Sequence, residues 1–330
     1  MAKQIAFCAD GTWDTPTNQT NVYKLFKALP VTATQFPSYD DGIGADGLPL
    51  ERLIGGAFGD GLFQKIKEGY TKIAQLYEKD DDIFIFGFSR GAYTARCLAG
   101  MIAVCGLPTQ NFDDNLVNTA FTAYRDRGNR AALLASLSSA GLYDAKIKMV
   151  GVWDTVGSLG IPAIFGAVDP VLYGFLDTGL HSDVLNAYHA LAIDEHRQQF
   201  PATLWTSQSA PGQTLEQVWF CGPHCDVGGG YPETGLSDIT LSWMMSKARD
   251  LGLQISDDVW PHYSTLPPND VLSLVHNSWN IGWGIPVHRP VPPNATLRNS
   301  VQRRVATDPT YRPQNLQYAN QGLATSYQIV

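Results

Sequence analysis

The serine of a G-x-S-x-G pattern is the residue in this chain that is best suited to chemistry. Residues 87–91 read GFSRG, with Ser89 at the centre. Glycines on both sides leave room for a sharp turn that lifts a serine hydroxyl above a sheet, and the amides that follow point at the reacting oxygen. We therefore predict that Ser89 is a nucleophile. The alternative is a glycine-rich strand–helix turn that matches the pattern by chance.

A serine nucleophile needs a base to accept its proton and an acid to orient that base. Asp154 and His224 each follow an apolar run that is typical of a buried strand. With Ser89 they occur in the chain order Ser, Asp, His that one large class of serine hydrolases uses. The sequence thus predicts His224 as the base and Asp154 as the acid. A loop-capping aspartate and a packed histidine are the structural alternatives.

Other histidines compete for the role of base. His189 and His196 lie seven residues apart in residues 183–200, which we predict to be helical, so they would share one helix face. Such a pair suits a base or a metal ligand, although packing is the commoner use of it.

The remaining polar positions give weaker signals. Asp226 follows His224 by two residues, and we expect it to hold the loop Gly228–Gly230. A metal site that uses Asp226, Asp10 or residues 40–46 is an alternative, but no carboxylate spacing makes it specific, so no metal or cofactor is predicted. The oxyanion hole is expected to use the backbone amide of Arg90 and one from Gly11 or Thr12.

Alternating strand and helix patterns must position these residues. Runs of mostly apolar residues predict strands at residues 5–8, 83–86, 147–153 and 217–221. Apolar residues at spacings of three and four predict helices between them. Alternation of this kind is typical of a mostly parallel sheet with helices on both faces, that is, an α/β fold over residues 1–330 as a single domain. Its functional residues are expected where the strands end.

Two segments fit this pattern poorly. Residues 158–182 are apolar but interrupted by prolines and glycines, so we predict a lid or insert there, with Phe165 and Phe175 contributing to an acyl pocket. The alternative is that the segment packs as core. Residues 255–330 are predicted to be an irregular C-terminal extension packed on the domain, with little regular structure from Leu266 onward.

Composition excludes some partners. The 330 residues include 23 Lys and Arg against 31 Asp and Glu, a net charge of −8, with no basic block, which argues against nucleic acid. The N-terminus lacks the pattern of a signal peptide, and no apolar run is long enough to span a membrane. Five cysteines without metal-binding spacing indicate a reducing compartment. Synthesis in the cytoplasm is expected, and a signal-independent export route stays open.

Five longer motifs carry a family resemblance. They are ADGTWD (9–14), GFSRGAYTAR (87–96), GVWDTVGSLG (151–160), AYHALAIDEHRQQF (187–200) and VWFCGPHCDVGGGYPETGLSD (218–238). Together they resemble the α/β-hydrolase domain family of bacteria and fungi that includes type VI secretion phospholipase effectors, and residues 300–316 resemble the end of that family.

The resemblance implies an α/β-hydrolase fold and hydrolysis of lipid esters by Ser89, Asp154 and His224. Transient contact with a membrane surface is a further expectation for such a substrate. A small-ester hydrolase or peptidase with the same triad, and a non-catalytic interaction module, are the alternatives.

Overall fold

The strands predicted from apolar runs are largely buried on both faces. In the strand that precedes Ser89, Ile83 and Ile85 pack into one hydrophobic cluster, while Phe84 and Phe86 pack into another on the opposite side of the sheet. Successive side chains of a strand point to opposite faces, so an apolar residue at every position requires cover on both.

The computed structural model describes residues 2–11, 14–42, 57–109, 113–139, 141–156, 179–206, 210–320 and 322–330. Its strands, in chain order, are β1 (Gln4–Ala9), β2 (Gln35–Asp40), β3 (Asp82–Phe88), β4 (Leu107–Pro108), β5 (Leu142–Tyr143), β6 (Ile147–Trp153), β7 (Asn186–Ala192), β8 (Thr214–Phe220), β9 (Thr296–Leu297), β10 (Tyr318–Ala319), β11 (Gly322–Leu323) and β12 (Gln328–Ile329).

The α-helices are α1 (Asn21–Ala28), α2 (Ala57–Leu76), α3 (Ser89–Cys105), α4 (Asp114–Arg125), α5 (Arg130–Ser138), α6 (His224–Gly228), α7 (Gly235–Asp250), α8 (Trp260–Ser264) and α9 (Asn299–Thr307). Short 3-10 helices cover Pro16–Asn18, Pro268–Leu272 and Ile281–Trp283. None of the described helices has the length and apolar character needed to cross a membrane.

Eight of these strands form one sheet in the order β12-β9-β8-β7-β6-β3-β1-β2. The neighbouring pairs run parallel, as in Phe88 beside Trp153 and Trp153 beside Ala190. Because parallel strands end at the same edge, the residues after β1, β3, β6 and β8 meet there. The predicted α/β architecture is confirmed, and the candidate site lies at this edge.

Helices cover the two faces of the sheet. On one face, α2, α3 and α4 contribute buried side chains to the first cluster. On the other, α1 and α7 do the same for the second cluster. A third cluster joins the β8 side of the sheet to α9 and the chain after it.

Four sequence predictions about elements are wrong. Residues 183–200 contain strand β7 in place of a helix. The many Gly and Asp residues of 39–61 predict a long loop, but Tyr39 and Asp40 are the last two residues of strand β2. The chain after Leu266 supplies helix α9 and two edge strands of the main sheet, β9 and β12. The sequence also predicts a short strand at residues 203–205, but these residues are irregular, and the neighbouring Ala202 forms a single bridge with Val156.

The close crossing of β1 and α3 generates a stability prediction. A Cβ at Gly91 would overlap the carbonyl oxygens of Ala9 and Asp10, which belong to the backbone and cannot rotate away. Gly91→Ala should therefore lower the free energy of unfolding by about 1–3 kcal/mol in urea titrations, the usual cost of overpacking. Gly322→Ala is the matched control, because nothing lies within 4 Å of its added Cβ. Equal losses for both variants would contradict the close crossing.

Candidate active site

The chain turns sharply between β3 and α3, and Ser89 lies at the turn. Its φ of 59° falls in the left-handed region that non-glycine residues rarely adopt. The flanking glycines make the turn sterically feasible: a Cβ at Gly87 would collide with the Gly91 carbonyl group and lie 2.7 Å from the Ala92 Cα. Backbone strain of this kind persists only where the surroundings enforce it, and it concentrates at functional positions.

Asp154 follows the neighbouring strand β6 and is completely buried. Its carboxylate forms a two-pronged ion pair with Arg289, from Nη1 to Oδ1 at 2.6 Å and from Nη2 to Oδ2 at 2.9 Å. The backbone N–H of Ala192 donates to Oδ1 at 3.0 Å. Burial alone would raise the pKa of Asp154, but Arg289 and then His224 outweigh it and hold that pKa well below the usual range. The carboxylate is therefore ionised.

The imidazole of His224 is oriented by Asp154. His224 is the first residue of α6, and its Nδ1 lies 2.6 Å from Asp154 Oδ2. Since the carboxylate is ionised, Nδ1–H is the donor, and the lone pair of the neutral ring is on Nε2. Burial lowers the pKa of His224 and outweighs the opposing effect of Asp154, which keeps the ring neutral and basic near neutral pH.

Two aromatic rings confine the imidazole. The Phe88 ring centroid lies 4.5 Å from that of His224, and the Phe200 centroid lies 5.2 Å away. Arg289 also holds Phe200 in place, because its Nε and Nη2 both donate to the Phe200 carbonyl, at 3.0 and 2.6 Å. Arg289 thus positions both the Asp154 carboxylate and one side of the His224 imidazole.

A second buried carboxylate, Glu195, supports the backbone of the site. It accepts hydrogen bonds from the backbone N–H and guanidinium of Arg197, from Ser278 Oγ and, at 3.2 Å, from the backbone N–H of His224. Burial opposes ionisation of Glu195, but Arg197 dominates and lowers its pKa to about 2. Glu195 therefore anchors the start of α6 as an anion.

The structure brings Ser89 to the same sheet edge as this pair. Phe88, whose ring contacts the imidazole, directly precedes Ser89, and Ser89 itself is only 6% exposed. Within the described residues no hydrogen bond joins Ser89 Oγ to His224. In serine and cysteine hydrolases without substrate this contact is often long and tightens only in the reacting complex.

The three residues predicted to form the oxyanion hole, Arg90, Gly11 and Thr12, differ in their positions and contacts. Arg90 is the second residue of α3 and lies directly after Ser89, in the first turn of the helix. Gly11 is close to Ser89, since a Cβ on Gly11 would lie 3.3 Å from the Ser89 Cβ. Its N–H, however, donates to the Asp10 carboxylate at 2.8 Å and is occupied in this conformation. Thr12 lies outside the described residues.

The rival histidines do not share a helix face, because His189 lies in strand β7. Its ring is completely buried, and Nε2 accepts the backbone N–H of Thr155 at 3.0 Å. Burial lowers the pKa of His189 to about 3, so it is a neutral packing residue that braces the chain beside Asp154. His196 instead packs edge-on against His288 at 4.8 Å.

The candidate metal ligands Asp10 and Asp226 form hydrogen bonds with other protein groups. Asp10 accepts hydrogen bonds from Thr20 Oγ1 at 2.6 Å and from the Tyr39 hydroxyl at 2.7 Å, besides the Gly11 amide. Asp226 accepts Nδ1–H and the backbone N–H of His276, at 2.6 and 3.0 Å. Asp226 thus bonds His276, whereas the sequence led us to expect that it would hold the loop Gly228–Gly230. In the part of the chain that is described, no group of three or more His, Cys, Asp or Glu residues has the geometry of a metal site.

The predicted lid, with Phe165 and Phe175, lies almost wholly in residues 157–178, which are outside the described ranges. The acyl pocket assigned to it stays a prediction. Sequence reasoning missed Arg289, Glu195 and Ser278 altogether. No local pattern marks Arg289, which lies between prolines far along the chain from Asp154.

The chain matches a model of a known protein family. The family model of the T6SS phospholipase effector Tle1-like catalytic domain matches residues 3–247, a range that contains Ser89, Asp154 and His224. The chain belongs to this family. The resemblance read from the motifs is therefore confirmed.

Individual relatives are more distant. An uncharacterised protein of Saccharomyces cerevisiae, YEL023C, is 28% identical over 232 residues, which cover 62% of this chain and 33% of the yeast protein. The crystal structure of an uncharacterised protein from Pseudomonas aeruginosa is 19% identical, with a TM-score of 0.48, over 82% of this chain and 48% of that one. The Tle1 effector bound to the VgrG spike of the type 6 secretion system is 18% identical, with a TM-score of 0.42, over 71% and 52%. The chain thus spans about a third to a half of these proteins.

The ion pair between Asp154 and Arg289 predicts an asymmetric response to mutation. Arg289→Met leaves a buried carboxylate without its cation and should lower the free energy of unfolding by about 3–5 kcal/mol. The double variant Asp154→Asn/Arg289→Met should lose less than Arg289→Met alone, because no uncompensated charge remains.

Urea unfolding measures both, with Arg303→Met as the control, since the Arg303 guanidinium bonds the Pro268 carbonyl in an exposed position. A single-variant loss no larger than that of Arg303→Met would contradict the electrostatic account of Asp154.

Proposed function

We propose that this chain hydrolyses carboxylic esters of lipids, in particular phospholipids, through a covalent acyl-enzyme on Ser89. The observation that carries the proposal is the 2.6 Å contact between Asp154 and His224 at the sheet edge where Ser89 occupies a strained strand–helix turn. A charged acid, a neutral base with its lone pair on Nε2 and a serine at a helix N-terminus are the groups that acyl transfer requires.

In the proposed reaction, Ser89 Oγ attacks the ester carbonyl carbon while His224 Nε2 accepts the hydroxyl proton. The amide of Arg90 donates to the oxyanion that forms. His224 then protonates the leaving alcohol, and the ester bond breaks to give the acyl-enzyme. A water molecule, deprotonated by the same nitrogen, releases the fatty acid and restores Ser89. Asp154 keeps its negative charge throughout and stabilises the imidazolium.

Family membership supports the substrate class, because the matched family is described as phospholipase effectors. It equally supports export through a type VI system without a cleaved signal. A VgrG spike binds the Tle1 effector in one of the solved structures, and a spike protein of that kind is the partner we propose for export of this chain.

Replacing the nucleophile should abolish turnover without unfolding the protein. We expect Ser89→Ala to lower kcat/KM by about 10⁴-fold or more, because attack by Ser89 is the step that the whole site serves. The assay is a series of chromogenic esters of increasing chain length, with phosphatidylcholine beside them, and circular dichroism checks the fold. Ser138→Ala, on the surface of α5, is the control and should keep full activity.

Activity of Ser89→Ala within tenfold of the parent would refute the proposal. Cleavage of short esters with no release of fatty acid from phosphatidylcholine would instead favour the small-ester alternative.

The two buried histidines should respond differently to substitution. His224→Ala should match Ser89→Ala in its loss, because nucleophile and base act as a unit. His189→Gln should cost less than about tenfold, since a glutamine oxygen at that position can still accept the Thr155 N–H. Both variants are compared by kcat/KM and by urea unfolding. A folded but inactive His189→Gln protein beside an active His224→Ala protein would show that the base is misassigned.

A further inference from the structure

An uncharged, apolar segment lies beside the site. Between Asp270 and Arg289 the sequence contains no Asp, Glu, Lys or Arg. Six large hydrophobic residues stand out as exposed in the described chain, and four belong to this segment: Leu272, Leu274, Ile281 and Ile285. Ile281 is 90% exposed and Ile285 is 79% exposed. Isolated exposed apolar residues are ordinary, but such a concentration is typical of an interaction site.

The part of this segment that projects furthest is residues 279–285, here called the apolar turn. Its backbone is held by local hydrogen bonds. Asn280 Oδ1 accepts the Gly282 N–H at 2.9 Å, and Trp279 Nε1 donates to the Gly284 carbonyl at 3.1 Å. The turn is therefore pre-organised, so binding through it would cost little additional ordering.

The apolar turn is also fixed relative to the base. Trp283 packs edge-on against Phe200 at 5.7 Å, and Phe200 packs against His224. Gln199 Nε2 donates to the Trp283 carbonyl at 3.2 Å. On either side of the turn, Ser278 bonds Glu195 and Arg289 bonds Asp154, the two buried carboxylates of the site. Whatever contacts the apolar turn is thus held next to the catalytic edge of the sheet.

We propose that the apolar turn docks this protein on the surface of a zwitterionic lipid bilayer, with Ile281 and Ile285 entering the headgroup region. This inference rests on the proposed function, which requires a substrate that resides in such a surface. An uncharged turn of isoleucine and tryptophan matches the interface, where apolar side chains are buried and tryptophan rings are favoured. The net charge of −8 opposes anionic membranes, so the charge balance selects a zwitterionic one.

The docking test separates binding from hydrolysis by using Ser89→Ala protein. Its partition onto phosphatidylcholine vesicles is measured by co-sedimentation. Adding Ile281→Asp and Ile285→Asp should weaken partition by about tenfold or more, because two apolar side chains no longer leave water. Val31→Asp is the matched control. Val31 is 78% exposed and precedes β2. It therefore lies at the amino-terminal ends of the parallel strands, away from the candidate site, and its variant should bind vesicles like the parent.

A second measurement uses the chain with Ser89 intact. The ratio of phosphatidylcholine hydrolysis to hydrolysis of a water-soluble ester should fall about tenfold in the Ile281→Asp/Ile285→Asp protein. The two readouts keep the proposals apart. If the two aspartates abolish vesicle binding of the Ser89→Ala protein, the docking proposal is supported. If the parent protein does not hydrolyse the soluble ester, the catalytic proposal is refuted.

Three results would overturn the docking proposal. They are equal vesicle binding with and without the two aspartates, stronger binding to anionic than to zwitterionic vesicles, and a dimer in sedimentation equilibrium that the two aspartates dissociate. The last result would assign the apolar turn to a second copy of this chain.

Discussion

The fully buried carboxylate of Asp154 is the constraint on which the site depends. An ionised carboxylate in a protein interior is unstable unless cations and hydrogen-bond donors surround it. Here the compensation comes from three separate parts of the chain: the guanidinium of Arg289, the imidazole of His224 and the backbone N–H of Ala192. Satisfying one buried charge therefore fixes the relative positions of strands β6 and β7, helix α6 and the C-terminal segment.

This arrangement gives the C-terminal part of the chain a role in the site. Arg289 and Ser278 lie beyond residue 247, where the match to the family model ends. They nevertheless contact Asp154 and Glu195, the two buried carboxylates that bond His224. Arg289 acts through Asp154 and Phe200, so it is a positioning residue. The same segment contains the apolar turn. The residues that hold Asp154 and Glu195 in place are therefore close in sequence to the surface that we propose to contact lipid.

The local backbone geometry at Ser89 depends on residues that are close to it in the chain. The glycines around Ser89 are a short-range requirement of the turn, and the collisions that a Cβ would make at Gly87 and Gly91 show why other residues do not fit. Strand β7 was mistaken for a helix because it is buried on both faces, and such a strand shows no polar alternation. The spacing of His189 and His196 then suggested a helix face by coincidence.

Contacts between residues far apart in the chain could not be predicted from sequence patterns. Strands β9 and β12 are two residues each, and they are strands through long-range pairing: β9 pairs with β8, and β12 pairs with β9. The pairing of Arg289 with Asp154 joins positions 135 residues apart, and no spacing rule connects them. Likewise, the occupation of the Gly11 amide by Asp10 depends on the conformation of the loop and not on residue types.

The central claim is that Ser89 is the nucleophile activated by the His224–Asp154 pair. Its most direct test is treatment with a fluorophosphonate followed by peptide mapping with tandem mass spectrometry. The account predicts one phosphonyl group per chain, bonded to Ser89 Oγ, with labelling that slows greatly in His224→Ala protein. A stable adduct on any other residue, or an ester-cleaving protein that remains unlabelled at Ser89, would contradict it.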